Sequence, residues 1–188
     1  MENQSGWKVW RIPVSMLVAL WLQISLGQLV PVRIAEWVGQ IDWLLLLTVY
    51  VGLRRDILQT IATAVIAGVL IDWSSYGGPI GVVGLGYLLV AYLLYWITNR
   101  IAVDNLHVRL GSVALASLLN LAVRLLFYGL LDVDLPVLVE GVGVAATLLF
   151  GMLMNLCASV AFYILLDRIF LWVDPLQRRR TAALRRRR

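Results

Sequence analysis

Chemically reactive side chains are scarce in this 188-residue chain. It has one cysteine, one histidine and only 14% charged residues. A lone cysteine, Cys157, excludes an internal disulfide and any metal site built from cysteines. His107, the lone histidine, lies in a polar stretch between apolar segments, far from any serine within a segment. That removes the buried base a serine–histidine intramembrane protease requires. An aspartyl protease in a bilayer needs two carboxylates facing each other. The nearest candidates, Asp72 and Glu140, both stand at the ends of apolar segments. No phosphate-cradling loop is present, because Gly81, Gly84 and Gly86 open an apolar segment and follow no strand. No cofactor or metal set is legible, and the chain does not read as an enzyme.

What is abundant is apolar surface. Hydrophobic residues make up 61% of the chain, and mean hydropathy is +0.86. A soluble domain of this size is about half apolar and about a quarter charged. The excess must face lipid, which makes this an all-α integral membrane protein. Six apolar segments predict a six-helix transmembrane bundle forming one domain over residues 1–188. The spans are about 12–30, 41–53, 57–71, 81–98, 110–131 and 137–166, with a basic tail at 167–188. Lys8 and Arg11 precede the first run, but no small-x-small cleavage site follows, so it reads as a retained span. A hydrocarbon core of about 30 Å takes about 20 helical residues. The second and third segments fall short of that, so either the membrane thins there or neighbouring helices support them. Between the first two spans, Ile34, Trp37, Val38 and Ile41 have helical spacing, which fits a short surface helix or an ordinary loop.

Charge sets the orientation. With the N-terminus inside, Lys8, Arg11, Arg54, Arg55, Arg100, Arg109, Arg168 and the arginine tail share one side. The other side has Arg33 with Glu36, Asp42, Asp72, Asp132 and Asp134. Positive charge stays cytoplasmic during insertion, so both termini are expected in the cytoplasm. Trp7, Trp10, Trp96 and Trp172 fall near the inner boundary, and Trp37, Trp43 and Trp73 near the outer one. The net charge of +5 is explained by this clustering, not by nucleic acid. The tail residues Arg178, Arg179, Arg180, Arg185, Arg186, Arg187 and Arg188 would sit against anionic lipids, at about 1 kcal/mol each near the surface. The alternative reading of the same residues is an orientation signal alone.

A few polar groups interrupt the spans. Arg124 lies inside the fifth, where an arginine costs at least about 2.5 kcal/mol unless partnered. Glu140 is its best candidate partner and Asp72 the second. The group is then either an internal ion pair or, with Asn120, a polar site for a ligand. Small or polar residues also recur every four positions: Ala64, Gly68 and Asp72; Ser112, Ala116, Asn120 and Arg124; Gly143, Thr147, Gly151, Asn155 and Ser159. Such stripes let helix backbones approach in lipid, and they predict seams within the bundle or with a separate protein. Asp72 can accept hydrogen bonds from the backbone that follows. Gly77, Gly78 and Pro79 give strong turn chemistry, and Pro79 and Gly81 lead into the fourth span.

Ile41-Asp42-Trp43, then Gly68 and Asp72 four apart, then a glycine-rich turn to Pro79-Ile80-Gly81 and the run Tyr87–Tyr92 resemble the MreD family of rod shape-determining membrane proteins. The resemblance is concentrated in residues 41–95. It implies a bundle similar to the substrate-binding subunits of energy-coupling-factor transporters. It also implies a non-enzymatic membrane scaffold of the bacterial cell-elongation complex in the inner membrane. Such a scaffold would bind the single-span protein MreC and connect with MreB, RodA and its penicillin-binding partner. The competing expectation is a small-molecule-binding or transporter subunit with a polar site near Arg124 and Glu140. The first span has only Ala19 where vitamin-binding subunits carry spaced alanines for docking their motor, which disfavours it.

Overall fold

The computed structural model describes residues 5–29, 39–54, 56–74, 80–100, 105–131 and 143–185. Six helices occur among them: α1 (Ser5–Leu29), α2 (Trp43–Gly52), α3 (Ile57–Ser74), α4 (Val82–Arg100), α5 (Leu106–Leu130) and α6 (Val144–Arg185). Four carry apolar stretches long enough to cross a membrane, namely α3, α4, α5 and residues Ala145–Arg168 of α6. The third expected span is therefore not short. Its helix continues through Asp72 to Ser74, because the Asp72 side chain bonds to backbone beyond the helix and leaves the helix itself uninterrupted. The fifth helix also starts earlier than its apolar run, at Leu106. Residues 31–38, where a surface helix or loop was expected, lie outside the described residues, as do Gly78, Pro79, Glu140 and Arg186–Arg188. Arg178, Arg179, Arg180 and Arg185 belong to the backbone of α6.

Helix α2 stands apart from the rest. With ten residues it is about 15 Å long, half a bilayer core. Every residue from Leu44 to Gly52 is buried. A helix apolar on all sides must be surrounded, and α2 is enclosed by α1, α3, α4, α5 and α6. Its short length is thus matched by protein neighbours rather than by lipid. Leu44, Leu45, Leu46, Leu47 and Val49 are each at most 1% exposed and form the centre of the core.

Side-chain pairs fix the directions of the helices. Asp42 meets Tyr87 and, further along, Gly52 abuts Leu94, so α2 and α4 run parallel. Asp42 bonds Asn155, Trp43 packs edge-on against Phe162 at 5.4 Å, and Tyr50 bonds Asp167, so α6 is also parallel to α2. Helix α3 returns antiparallel to α4. Gly68 is required at that crossing, since a Cβ there would lie 2.3 Å from the Gly84 Cα. The backbones touch, as small residues permit in helix pairs within lipid.

Ala64, Gly68 and Asp72 are buried on this α3 seam, and Ser112, Ala116 and Asn120 on the inner face of α5. Thr147, Gly151, Asn155 and Ser159 are buried on α6, whereas Gly143 is exposed. The opposite faces display Leu58, Val69, Tyr92, Leu126, Leu153 and Ile164 outward, an apolar exterior suited to hydrocarbon.

Candidate functional site

The first turn of a helix leaves backbone N–H groups without intrahelical partners. At α2 these groups lie inside the bundle, where leaving them unpaired would cost about 1–3 kcal/mol each. Its own cap residue and two other helices supply the acceptors. Asp42 is the N-cap and its Oδ1 accepts from Leu45 N at 3.0 Å. Gln23 of α1 accepts from Trp43 N at 2.9 Å. Asn155 of α6 accepts from Asp42 N at 2.8 Å.

The Asp42 carboxylate gathers α4 and α5. The Tyr87 hydroxyl of α4 donates to Oδ1. From α5, Asn120 Nδ2 donates to Oδ2 at 3.4 Å and an Arg124 guanidinium nitrogen donates to the same oxygen at 3.1 Å. Each carboxylate oxygen thus receives two donors, which fills its lone pairs. Tyr87 is fully buried, and the Arg124 and Asp42 side chains are 18% and 12% exposed. Tyr87 lies five residues into α4 and Arg124 six residues before the end of α5. The junction therefore sits roughly 7–9 Å below the helix ends. An arginine at such depth requires a partner, and Asp42 is it.

The partner of Arg124 among the described residues is Asp42, which corrects the expectation for Asp72. Glu140 lies outside the described residues, and Asp72 is engaged elsewhere. The Asp72 carboxylate accepts from Gly81 N at 2.9 Å, Val83 N at 3.2 Å and Gly84 N at 3.2 Å. From the end of α3 it caps the N-terminus of α4, where a negative charge also meets the positive end of the helix dipole. Gly81 takes φ +99°, a left-handed conformation that glycine adopts without strain.

A second polar cluster lies at the other end of α2. The Tyr50 hydroxyl donates to Asp167 Oδ1 at 2.6 Å, and Arg54 donates to that hydroxyl. The Arg54 guanidinium also stacks over the Tyr50 ring at 4.5 Å and lies 3.6 Å from Asp167. Both charged side chains are about half exposed, so this cluster contributes little stability, within the usual 0–1 kcal/mol of surface pairs. It ties the α2–α3 turn to α6.

Three residues of the junction were missed as a site. Asp42 was legible as the boundary of an apolar run, with an N-cap residue type in the right place. Tyr87 was legible only as part of an apolar stretch, and Gln23 gave no signal at all. Asn120 and Arg124 had been placed on one helix face by their four-residue spacing, and the structure brings both to Asp42. Gly68 and Gly81 belong to the α3–α4 crossing and turn instead. Among the described residues, no group of three histidines, cysteines or carboxylates is placed to hold a metal.

Apolar helices of membrane-crossing length, packed about a short enclosed helix whose cap binds its neighbours, define a polytopic helical membrane protein held together by an internal polar junction. Over residues 9–171 the chain matches the family described as rod shape-determining protein MreD. That match covers most of the chain, and the protein belongs to the MreD family. No curated protein and no solved structure gives a significant match.

Proposed function

We propose that this protein is a non-enzymatic membrane scaffold of the bacterial cell-elongation complex, holding an MreC-like single-span protein and, through it, connecting MreB with RodA and its penicillin-binding partner. Family membership over residues 9–171 is the observation that carries the reading. The form of the molecule supports it. Its polar side chains are spent on joining its own helices, at Asp42, Asp72 and Tyr50, while its outer faces are apolar and continuous. A rigid bundle with apolar flanks suits lateral association with another helix.

In this reading the bundle lies in the inner membrane with both termini in the cytoplasm, in an arrangement like that of energy-coupling-factor substrate-binding subunits. The Arg54, Arg100, Arg109 and Arg168 end faces the cytoplasm, the Asp42 and Asp72 end faces outward, and the arginine tail lies on anionic headgroups. The test is purification of tagged protein from native membranes in mild detergent. An MreC-like single-span protein should be retained in near-equal amount, and its consistent loss, with the tagged chain intact, would defeat the reading.

A further inference from the structure

Helix α2 reaches only half the depth of its neighbours, and the described residues leave a space beyond its N-terminus. A cavity of about 240 Å³ lies there, reaching from Asp42 and Arg124 towards Gly39 and Ser74 at the exposed end of the bundle. Its polar lining is mostly uncharged, with Gln23, Gln40, Ser74, Ser117, Asn155 and the tyrosine Tyr128. Two buried groups beside it lack any hydrogen-bond partner, the Ser117 hydroxyl and the Arg124 Nε. Ser117 is 5% exposed and lies on the same face of α5 as Asn120 and Arg124. Buried polar groups of this kind are normally satisfied, and an orphan marks a missing partner. Asn120 Oδ1 is also unpaired, but it abuts Gly86, where a Cβ would stand 2.4 Å away, so it is covered by backbone and takes no part.

The chemistry of the missing partner follows from what is already occupied. Asp42 has its lone pairs filled, so it offers nothing to a cation. Arg124 is neutralised by Asp42 at 3.1 Å, and an anion bound to its Nε would be held close to that carboxylate. Like charges at such a separation in a low-dielectric interior repel strongly. A neutral group is favoured. It must offer an acceptor to the Arg124 N–H and both donors and acceptors to amides and hydroxyls, which is the behaviour of alcohols. Ile41, Leu45 and Met152 give the cavity apolar wall for C–H faces. A cavity of about 150 Å³ takes a benzene molecule, so this one has room for about ten non-hydrogen atoms, the size of one sugar ring.

We propose that the Asp42–Arg124 cavity is a binding site for a small neutral polyhydroxy group, a single sugar ring, presented either free or as the headgroup of a lipid. The inference is independent of the scaffold reading, and loss of an MreC-like partner would leave it standing. The test uses the full chain in phosphatidylcholine nanodiscs, free of sugar detergents, with Tm as the readout. One arm adds methyl glucoside, a second incorporates monoglucosyl diacylglycerol, and a third adds inorganic phosphate. A rise in Tm in the first arm assigns a free sugar, and a rise in the second alone assigns a lipid headgroup. Ser117→Ala should hold or raise the Tm without sugar, because it removes a buried hydroxyl that has no partner among the described residues, yet weaken binding about five-fold, the usual net effect of one hydrogen bond. Gln40→Ala, at the exposed end, gives a second variant that should weaken binding in the same way. A shift with phosphate alone, no shift in any arm, or unchanged affinity in both variants would overturn the proposal.

Discussion

Replacing Asp42 by asparagine tests whether the buried junction holds the bundle. Asparagine caps helices about as well as aspartate, so the bond to Leu45 N can persist. What is lost is the partner of Arg124, and the new amide presents donors to two donors, Arg124 and Asn120. Removing one member of a buried ion pair costs about 3–5 kcal/mol, because a charge is left unpaired. Arginine inside a span sets a floor of about 2.5 kcal/mol. Since the two side chains are only 18% and 12% exposed, little of that is relieved by solvent. Arg124→Leu should be milder, at about 1–3 kcal/mol, because Tyr87, Asn120 and Leu45 N still donate to the carboxylate. The double variant Asp42→Asn/Arg124→Leu carries no charge at the junction and should be at least as stable as Asp42→Asn alone. The assay is reversible unfolding in mixed micelles of increasing SDS fraction, followed by tryptophan fluorescence. A coupling of about 1–3 kcal/mol is expected for groups in direct contact. If the double variant loses the plain sum of the two single losses, Arg124 finds water rather than Asp42, and the junction is not what stabilises this end of the fold.

Two further substitutions probe the α3–α4 pair. Asp72→Ala removes the acceptor of three backbone amides and should cost about 2–3 kcal/mol in the same unfolding assay, with Asp72→Asn costing about half as much. In native membranes Asp72→Ala should reduce retention of the MreC-like partner more than it reduces insertion of the chain. Gly68→Ala forces a methyl group onto the Gly84 backbone and should cost about 2 kcal/mol or more, whereas Gly111→Ala, with open space around it, should be neutral or gain about 0.5–1 kcal/mol. Equal behaviour of the two glycine variants would show that the α3–α4 crossing is looser than drawn.

Much of the helical plan was readable because lipid imposes a simple rule. Apolar length predicts a span, and α4 begins within one residue of the predicted boundary at Gly81. Where the apolar run is interrupted by a polar residue with another employment, the rule misplaces the end. Asp72 looks like a terminator, yet its carboxylate caps the next helix while α3 continues to Ser74. Four-residue spacing placed Asn120 and Arg124 on one face, since that periodicity belongs to a single helix. Their partner was not readable, because Asp42 is 82 residues from Arg124 in sequence and only the packing brings it there. Hydropathy treated Asp42 as an outer boundary, when its level in the bundle is set by the length of α2.

That length explains the rest. A transmembrane helix of ordinary size places its capped end at the membrane surface, where water satisfies the first N–H groups. At ten residues, α2 ends its N-terminus within the bundle, and the need for acceptors moves inward with it. The protein meets the need with Gln23 of α1, Asn155 of α6 and the Asp42 carboxylate, which in turn accepts from Tyr87 of α4 and from Asn120 and Arg124 of α5, so the weakest point of the shortest helix becomes the place where four others are joined. The same shortfall opens the cavity beyond Asp42, since the helix itself begins only at Trp43. Extending α2 by one turn would carry its end nearer the surface, fill the cavity and remove the reason for Arg124 to be there. The junction and the cavity are therefore two consequences of one feature of the sequence, the stop that Asp42 places before an apolar run too short to span.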